Sequence, residues 1–336
     1  MRLVDMVYYG QKRKQEDVVM KQYAFGIDVG GTTVKMGFFT AAGELLEKWE
    51  IKTDTTDHGA NVIPDVAAAI DGKLKERGIS KDEVIGVGID VPGPVDAAGY
   101  VRNCVNLGWG TFKLEETVEA ATRLPCRAGN DATVATLGEM YRGCASAYRH
   151  LVMITLGTGV GGGIVIDGKI LPGNTGAAGE IGHMTVNEHE TAVCGCGRKG
   201  CLEQYASANG IARVTALALG ETEEETVLRK LEKITAKDIF DAAKEGDAFA
   251  LRMVEQLGRT LGMACARIAT VVDPEAFVFG GGVSKAGTML TDVIEKYYDQ
   301  YAFKTGAKFL LAELGNDAGI YGSVKLILDA HAAGHL

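Results

Sequence analysis

The sequence contains no run of about 20 apolar residues, the length that a bilayer-spanning helix requires. Its opening stretch, Met1 to Gln22, mixes charges and lacks the apolar segment and small-residue cleavage site of a secretory leader. Basic charge is not in excess either. Lys and Arg total 35 against 44 Asp and Glu, a net charge of −9, whereas nucleic-acid binders present a basic face. Nor do the cysteines make an even set. There are seven, three of them crowded together, and in a reducing compartment that pattern argues for a metal site over a disulfide framework. These absences point to a cytoplasmic protein with neither membrane nor nucleic acid among its partners.

What is present is an ordinary globular composition. Of 336 residues, 46% are hydrophobic and 24% charged, enough for about two domains of roughly 150 residues. Residues 1–22 show no period and read as a peripheral extension, dispensable through residue 19, with Met20 as an alternative start. From Tyr23 the pattern changes. Tyr23–Val29 and Val34–Phe39 are apolar and Leu45–Ile51 alternates, with glycine-containing breaks between them, as in an antiparallel meander. A helix over Val62–Arg77 and a strand over Val84–Val91 follow. The design then recurs: Leu151–Leu156, Gly162–Ile166 and Lys169–Leu171 are again short strands separated by glycine turns. Helical periods occupy Ala248–Val272, Thr288–Tyr301 and Gly319–His331, and Ala276–Phe279 is a strand running into three glycines. Two related halves, each a sheet with helices, predict an α/β protein with a cleft between lobes. The expected division is a small N-terminal domain over 23–130, joined by the C-terminal helix 319–336, and a larger domain over 131–318. The cleft is the expected ligand site.

Asp28-Val29-Gly30-Gly31-Thr32-Thr33 closes the first strand. A dinucleotide-binding turn or a P-loop would open a helix after its glycines; here Val34–Phe39 is a strand, so neither applies. A hairpin turn of glycines and threonines still offers bare backbone N–H groups and hydroxyls to phosphate, and the adjacent Asp28 suits Mg²⁺ through water. A plain hairpin would explain this segment alone equally well. Its twin, Gly157-Thr158-Gly159, shifts the reading to a pair of phosphate turns, one on each half.

Cys194, Cys196 and Cys201 lie among glycines within eight residues, and His183 precedes them by eleven. A Cys₃His set fills tetrahedral Zn²⁺ and leaves no open position, which makes the site structural. Fastening His183 and Cys201 to one ion brings Glu180 and Glu203 near each other, and carboxylates so placed can accept hydrogen bonds from a polar ligand. Asn130-Asp131 precedes a helical pattern, Ala132–Tyr141, where an N-cap would account for either residue. Asn103 and Asn106 belong to a polar loop with Trp109, where ligand contacts and a buried indole both fit. Cys104, Cys126, Cys144 and Cys265 read as buried thiols.

Together, Asp28–Thr33, Leu156–Gly159 and Gly280–Ser284 resemble the two phosphate motifs and the adenosine motif of the superfamily of sugar kinases, actin and heat-shock ATPases. Within it, Pro92-Gly93-Pro94-Val95-Asp96 and the cysteine cluster resemble the ROK family (repressors, open reading frames and kinases), over residues 23–330. The resemblance implies a two-lobed actin-like ATPase fold of duplicated ribonuclease H-like domains, and a homodimer. It implies ATP, with Gly30, Gly31, Thr32, Thr33, Lys35, Thr158 and Gly159 at the phosphates and Gly281 and Gly282 at the adenosine. Zinc on His183, Cys194, Cys196 and Cys201 agrees with it. Glu180, His183, Glu203 and Asn130 fall at the sugar, with Asn106 of the polar loop as a further candidate contact, and Asp131 is implied as the base for its primary hydroxyl. Gly182–Thr185 and Gly200–Ser207 are most similar to family members acting on glucose, so the expected activity is phosphorylation of D-glucose with ATP and Mg²⁺. N-acetylmannosamine, fructose or allose would use the same motifs. A sugar-responsive regulator of this family would carry a helix-turn-helix domain of several dozen residues ahead of the first phosphate motif. Only 27 residues precede Asp28 and Asp131 is retained, so an enzyme is the expectation.

Overall fold

A strand buried on both faces is apolar along its length, and one at a sheet edge alternates. The computed structural model, which describes residues 20–304 and 306–336, contains both kinds. β1 (Tyr23–Val29), β2 (Thr33–Thr40) and β3 (Leu45–Lys52) form the antiparallel meander, with β1 and β2 mostly buried and β3 alternating at the edge. α1 (Val62–Arg77) leads to β4 (Val84–Val91), which is buried at every residue and runs parallel to β1. A small hairpin of β5 (Tyr100–Val101) and β6 (Phe112–Lys113), then α2 (Leu114–Thr122), β7 (Cys126–Asn130) and α3 (Asp131–Arg142), complete the first half. The second half contains β8 (Leu151–Leu156), β9 (Val160–Ile166) and β10 (Lys169–Ile170), then α4 (Glu203–Ala206), α5 (Ala208–Gly220), α6 (Ala236–Lys244) and α7 (Ala248–Val272). It ends with β11 (Ala276–Gly280), α8 (Thr288–Tyr301), β12 (Lys308–Leu311) and α9 (Ala318–Ala332).

The two five-stranded sheets share one order, β3-β2-β1-β4-β7 and β10-β9-β8-β11-β12. In each, the first three strands are an antiparallel meander and the other two run parallel to the first. Each half buries its own apolar core, one around Phe25, Ile27 and Ile89 and the other around Leu257, Phe277 and Phe279.

The last helix of each half lies on the sheet of the other. α3 covers β9 so closely that a side chain at Gly163 would meet Thr136 Oγ1 at 2.1 Å, and α9 covers β4 so closely that one at Gly88 would meet the Ser323 carbonyl at 1.7 Å. Glu139, fully buried in α3, ties the crossing together. Its carboxylate accepts the N–H groups of Cys144 (3.2 Å), Glu313 (3.0 Å) and Leu314 (2.9 Å), the last two in the link to α9. A buried carboxylate is tolerated only with partners of this kind. The crossing leaves the N-terminus of α3 at the junction of the halves. Of the extension expected over 1–22, residues 1–19 lie outside the described residues. Among the described residues, no helix is long and apolar enough to cross a membrane.

Candidate active site

The junction is occupied by Asn130-Asp131. Asn130 caps α3: its Oδ1 accepts the Thr133 N–H at 3.2 Å, while its Nδ2 donates to Asp131 Oδ1 at 2.8 Å and to the Gly93 carbonyl at 3.3 Å. Asp131 Oδ1 also accepts the Ala132 N–H at 2.8 Å. The cap therefore belongs to Asn130, and Asp131 Oδ2 takes part in none of these bonds. Burial, and then the charges of Asp28 and Glu180, raise Asp131 above the ordinary Asp range, against the lowering pull of the Ala132 N–H and Asn130. A carboxylate oriented through one oxygen, with raised basicity and a second oxygen to spare, can abstract a proton.

The first glycine turn sits beside this point. The Gly30 N–H donates to the Thr33 carbonyl at 3.0 Å, and Thr53 pins the turn from behind, its Oγ1 donating to the Gly30 carbonyl at 2.7 Å. Gly31 and Thr32 remain exposed. Lys35, opposite Asp28 in the hairpin, donates to it at 2.8 Å. Partial burial opposes the Lys35 charge, yet the bond and charge of Asp28, with Asp90 and Glu50 beyond, carry its pKa above the usual value. The loop of Asn106 reaches the same turn, its carbonyl 3.9 Å from where a Gly31 side chain would begin. Trp109 is committed to the core and donates its Nε1–H to the Gly59 carbonyl at 3.1 Å. The exposed side of that loop is left to Asn103, Val105 and Asn106.

In the second turn the Gly157 N–H donates to the Gly159 carbonyl at 3.0 Å, and the Ala208 N–H at the start of α5 donates to the Gly157 carbonyl at 2.8 Å. Gly281 abuts the strand that enters this turn. Its backbone is left-handed (φ 83°), and a side chain there would come within 2.6 Å of the Leu156 carbonyl, so only glycine fits. Beyond it, Gly282 opens a cavity of about 340 Å³ whose walls include Ala208, Thr235, Phe240, Lys244 and Val283.

His183, Cys194, Cys196 and Cys201 converge, one donor atom from each lying within 4.8 Å of the others. Tetrahedral zinc, with bonds of about 2.0–2.3 Å, holds its donors about 3.5–3.8 Å apart. Cys196 Sγ stands 3.6 Å from Cys201 Sγ, and Cys194 Sγ 3.9 Å from His183 Nδ1. Arg198, first through its backbone N–H, holds Cys196 down to about 6, whereas burial pushes Cys201 up to about 12. By spacing and donor chemistry the set fits Zn²⁺. Glu203 opens α4 next to this cluster, its Oε1 3.7 Å from Cys194 Sγ and its Oε2 accepting the Val160 N–H at 3.0 Å. Glu180 is exposed and begins the short turn that carries His183.

Two features were not expected from the sequence. Asp90, fully buried, faces Asp28 across β1 and β4. Ser323 Oγ lies 3.0 Å from its Oδ2, and its Oδ1 has no hydrogen-bond partner among the described residues. Burial, then the charges of Asp28 and Asp131, raise its carboxyl well above the usual range. The signal was legible, since Asp90 is the one acid in the otherwise apolar strand Val84–Val91. The α6 wall of the cavity had no such signal; in the structure Thr235 and Asp238 form a capping box at the start of α6.

This arrangement has close counterparts. The ROK family pattern matches residues 24–330. A glucokinase of Halalkalibacterium halodurans is 46% identical over 309 residues, covering 90% of this chain and 94% of its own. An N-acetylmannosamine kinase of Escherichia coli is 35% identical over 303 residues, covering 90% and 97%. Among solved structures, a ROK family glucokinase from Streptomyces griseus in complex with glucose and AMPPNP superposes with a TM-score of 0.68 at 33% identity, over 90% of this chain and 98% of that one. The doubled sheet is that of the two-lobed actin-like ATPase fold, and with this motif set and these relatives the chain belongs to the ROK family.

Proposed function

We propose that this chain phosphorylates D-glucose, giving glucose 6-phosphate and ADP from ATP. The observation that carries the reading is Asp131: oriented through Oδ1, spare at Oδ2, raised in basicity, and close enough to Asp28 and Glu180 to feel both charges. Glu180, His183, Glu203, Asn130 and Asn106 would hold ring hydroxyls and present the primary hydroxyl to Asp131. Asp131 takes its proton as the sugar oxygen bonds to the γ-phosphorus, and the bond from that phosphorus to the bridging oxygen of ADP breaks. Backbone N–H groups of Gly30, Gly31, Thr158 and Gly159, the hydroxyls of Thr32 and Thr33, and the Lys35 ammonium would hold the phosphates. Gly281 and Gly282, with the cavity walled by α6, take the adenosine. Asp28 would hold Mg²⁺ through water, and that ion supplies neutralisation of phosphate charge. His183, Cys194, Cys196 and Cys201 would hold Zn²⁺, which contributes no chemistry to the step but fixes the backbone of Glu180 and Glu203.

The lobes in this reading are residues 23–130 with α9, and residues 131–318. Their approach excludes water, which would otherwise compete as phosphoryl acceptor. The site of action is the cytoplasm, as a homodimer, which the molar mass in solution tests. Glucose is favoured over N-acetylmannosamine by the higher identity to a glucokinase, 46% against 35%. A panel of glucose, N-acetylmannosamine, fructose and allose with ATP and Mg²⁺, followed by coupled ADP release, decides between them. Glucose should give the highest kcat/KM; a tenfold advantage for N-acetylmannosamine would overturn the substrate and leave the kinase reading in place.

A further inference from the structure

Glu203 touches two parts of the site that the motifs treat as separate. Its Oε1 faces the metal cluster, 3.7 Å from Cys194 Sγ. Its Oε2 lies under the second glycine turn, accepting the Val160 N–H at 3.0 Å, and a side chain at Gly159 would stand 2.3 Å from that oxygen. The backbone around it is pinned. The Leu202 N–H donates to the Met184 carbonyl at 2.8 Å beside His183, and the Ala208 N–H donates to the Gly157 carbonyl at 2.8 Å. A rigid segment thus runs from the cysteine cluster to the phosphate turn, with one carboxylate at its centre.

We propose that Glu203 is a positioning residue for the second phosphate turn as well as a ligand for the sugar, so that glucose and nucleotide bind cooperatively through it. This rests on the reading that Glu203 lies at the sugar. A hydroxyl donating to Glu203 fixes the carboxylate in the rotamer that holds the Val160 N–H. Val160 directly follows Gly159, so the turn is ordered before nucleotide arrives and less freedom is lost on binding. The coupling is reciprocal: whatever factor glucose adds to nucleotide affinity, nucleotide adds to glucose affinity. The bare α-carbon of Gly159 then has a second reason beyond access to phosphate, because a methyl group there would displace Glu203.

Calorimetry with glucose and with AMPPNP plus Mg²⁺, separately and together, tests this. In the parent, saturating glucose should tighten AMPPNP binding by about fivefold or more, the lower end of usual coupling. Gly159→Ala should weaken glucose binding with no nucleotide present and bring the coupling factor near 1. Gly157→Ala, whose added methyl meets nothing within 4 Å, should leave nucleotide-free glucose binding at the parent value. Glu203→Gln should weaken glucose binding and lose the coupling, while AMPPNP binding without sugar stays near the parent value. If Glu203→Gln weakens glucose but Gly159→Ala does not, the coupling is refuted and the sugar reading survives. If Glu203→Gln leaves glucose affinity unchanged, both fall. Should Gly159→Ala fail to melt cooperatively, Glu203→Gln at saturating glucose decides alone, and a retained coupling factor overturns the proposal.

Discussion

The two halves share a topology and differ in what they place at matched positions. In the first sheet the strand entering the glycine turn carries Asp28, paired with Asp90 on the neighbouring parallel strand and with Lys35 across the hairpin. In the second sheet the same three places hold Thr155, Gly280 and Gly161. The first half therefore concentrates acidic groups, with Lys35 pairing Asp28 and Ser323 beside Asp90 Oδ2, while burial and the charge of Asp28 together push Asp90 toward its neutral form. The second half has no charge at these places and keeps them tightly packed, a side chain at Gly280 meeting Met153 at 2.7 Å and one at Gly161 meeting Thr155 Oγ1 at 2.6 Å. The halves also diverge between their third and fourth strands. The first spans that interval with α1, while the second uses it for the cysteine cluster and four helices. In the proposed reading, one duplicated frame separates the roles, with the base and the Mg²⁺ site on the first half and the nucleotide turn with the carboxylates beside the cysteine cluster on the second.

The sharpest way to break this division is Asp131→Asn. Removing the base while keeping shape should lower kcat/KM by about 10²–10⁴, with glucose affinity changed little. Because burial raises the pKa of Asp131, the ionised form weakens the fold at neutral pH, and the variant should melt no lower than the parent. The same shift sets the acid limb of the parent's rate profile: activity should fall as pH drops through a value above the ordinary Asp range. Turnover near the parent's would remove Asp131 from the step.

On the second half, Cys196→Ala should lose the single zinc expected per chain by elemental analysis. The KM for glucose should rise about tenfold or more, the loss of one charged hydrogen-bond partner. Metal retained at full stoichiometry would sink the four-ligand assignment. Gly281→Ala should act on nucleotide alone. A left-handed backbone and a carbonyl at 2.6 Å leave no room for the methyl group, so the KM for ATP should rise about tenfold, while glucose affinity without nucleotide is kept.

Asp90→Asn probes the acidic groups of the first half with a smaller effect. A folded pKa above the unfolded one means that parent stability declines as pH rises from the ordinary Asp range toward the raised value. The variant should match the parent near pH 4 and melt about 2–4 °C higher at pH 8; a gap of opposite sign would show that the Asp90 charge is needed. The smallest effect is expected from removing residues 1–19, with kinetics and melting unchanged. A shifted melting temperature or altered oligomer would overturn that.

Much of this molecule was legible before its structure. Runs such as Val84–Val91 and Ala248–Val272 are long, apolar or strongly periodic, and the observed elements have those bounds. Zinc-ligand spacing was readable because the cysteines are close in sequence, so short glycine turns alone can converge them. The cavity wall on α6 was not, because Thr235 and Phe240 meet Gly282 only through the packing of a distant helix. Trp109 was ambiguous for a related reason. Its role depends on Gly59, a residue 50 positions away, which accepts its indole N–H.

Local pattern determined by itself the recurring strand-turn-strand meander, the two glycine turns, the cysteine cluster and a cap at Asn130-Asp131, since each is set by contacts within a few residues or by a period along the chain. Only the tertiary structure decided that Glu139 pins the crossing of α3 and α9, that the cap belongs to Asn130, and that Asp28, Asp90 and Asp131 share one electrostatic environment. It alone set Glu203 between the cysteine cluster and the second glycine turn. The long-range relations among these join residues from 41 to 174 positions apart, from Asp90 with Asp131 to Glu139 with Glu313, and they follow from how closely backbones approach at glycines and from which carboxylates burial leaves near one another. No periodicity along a single chain encodes either.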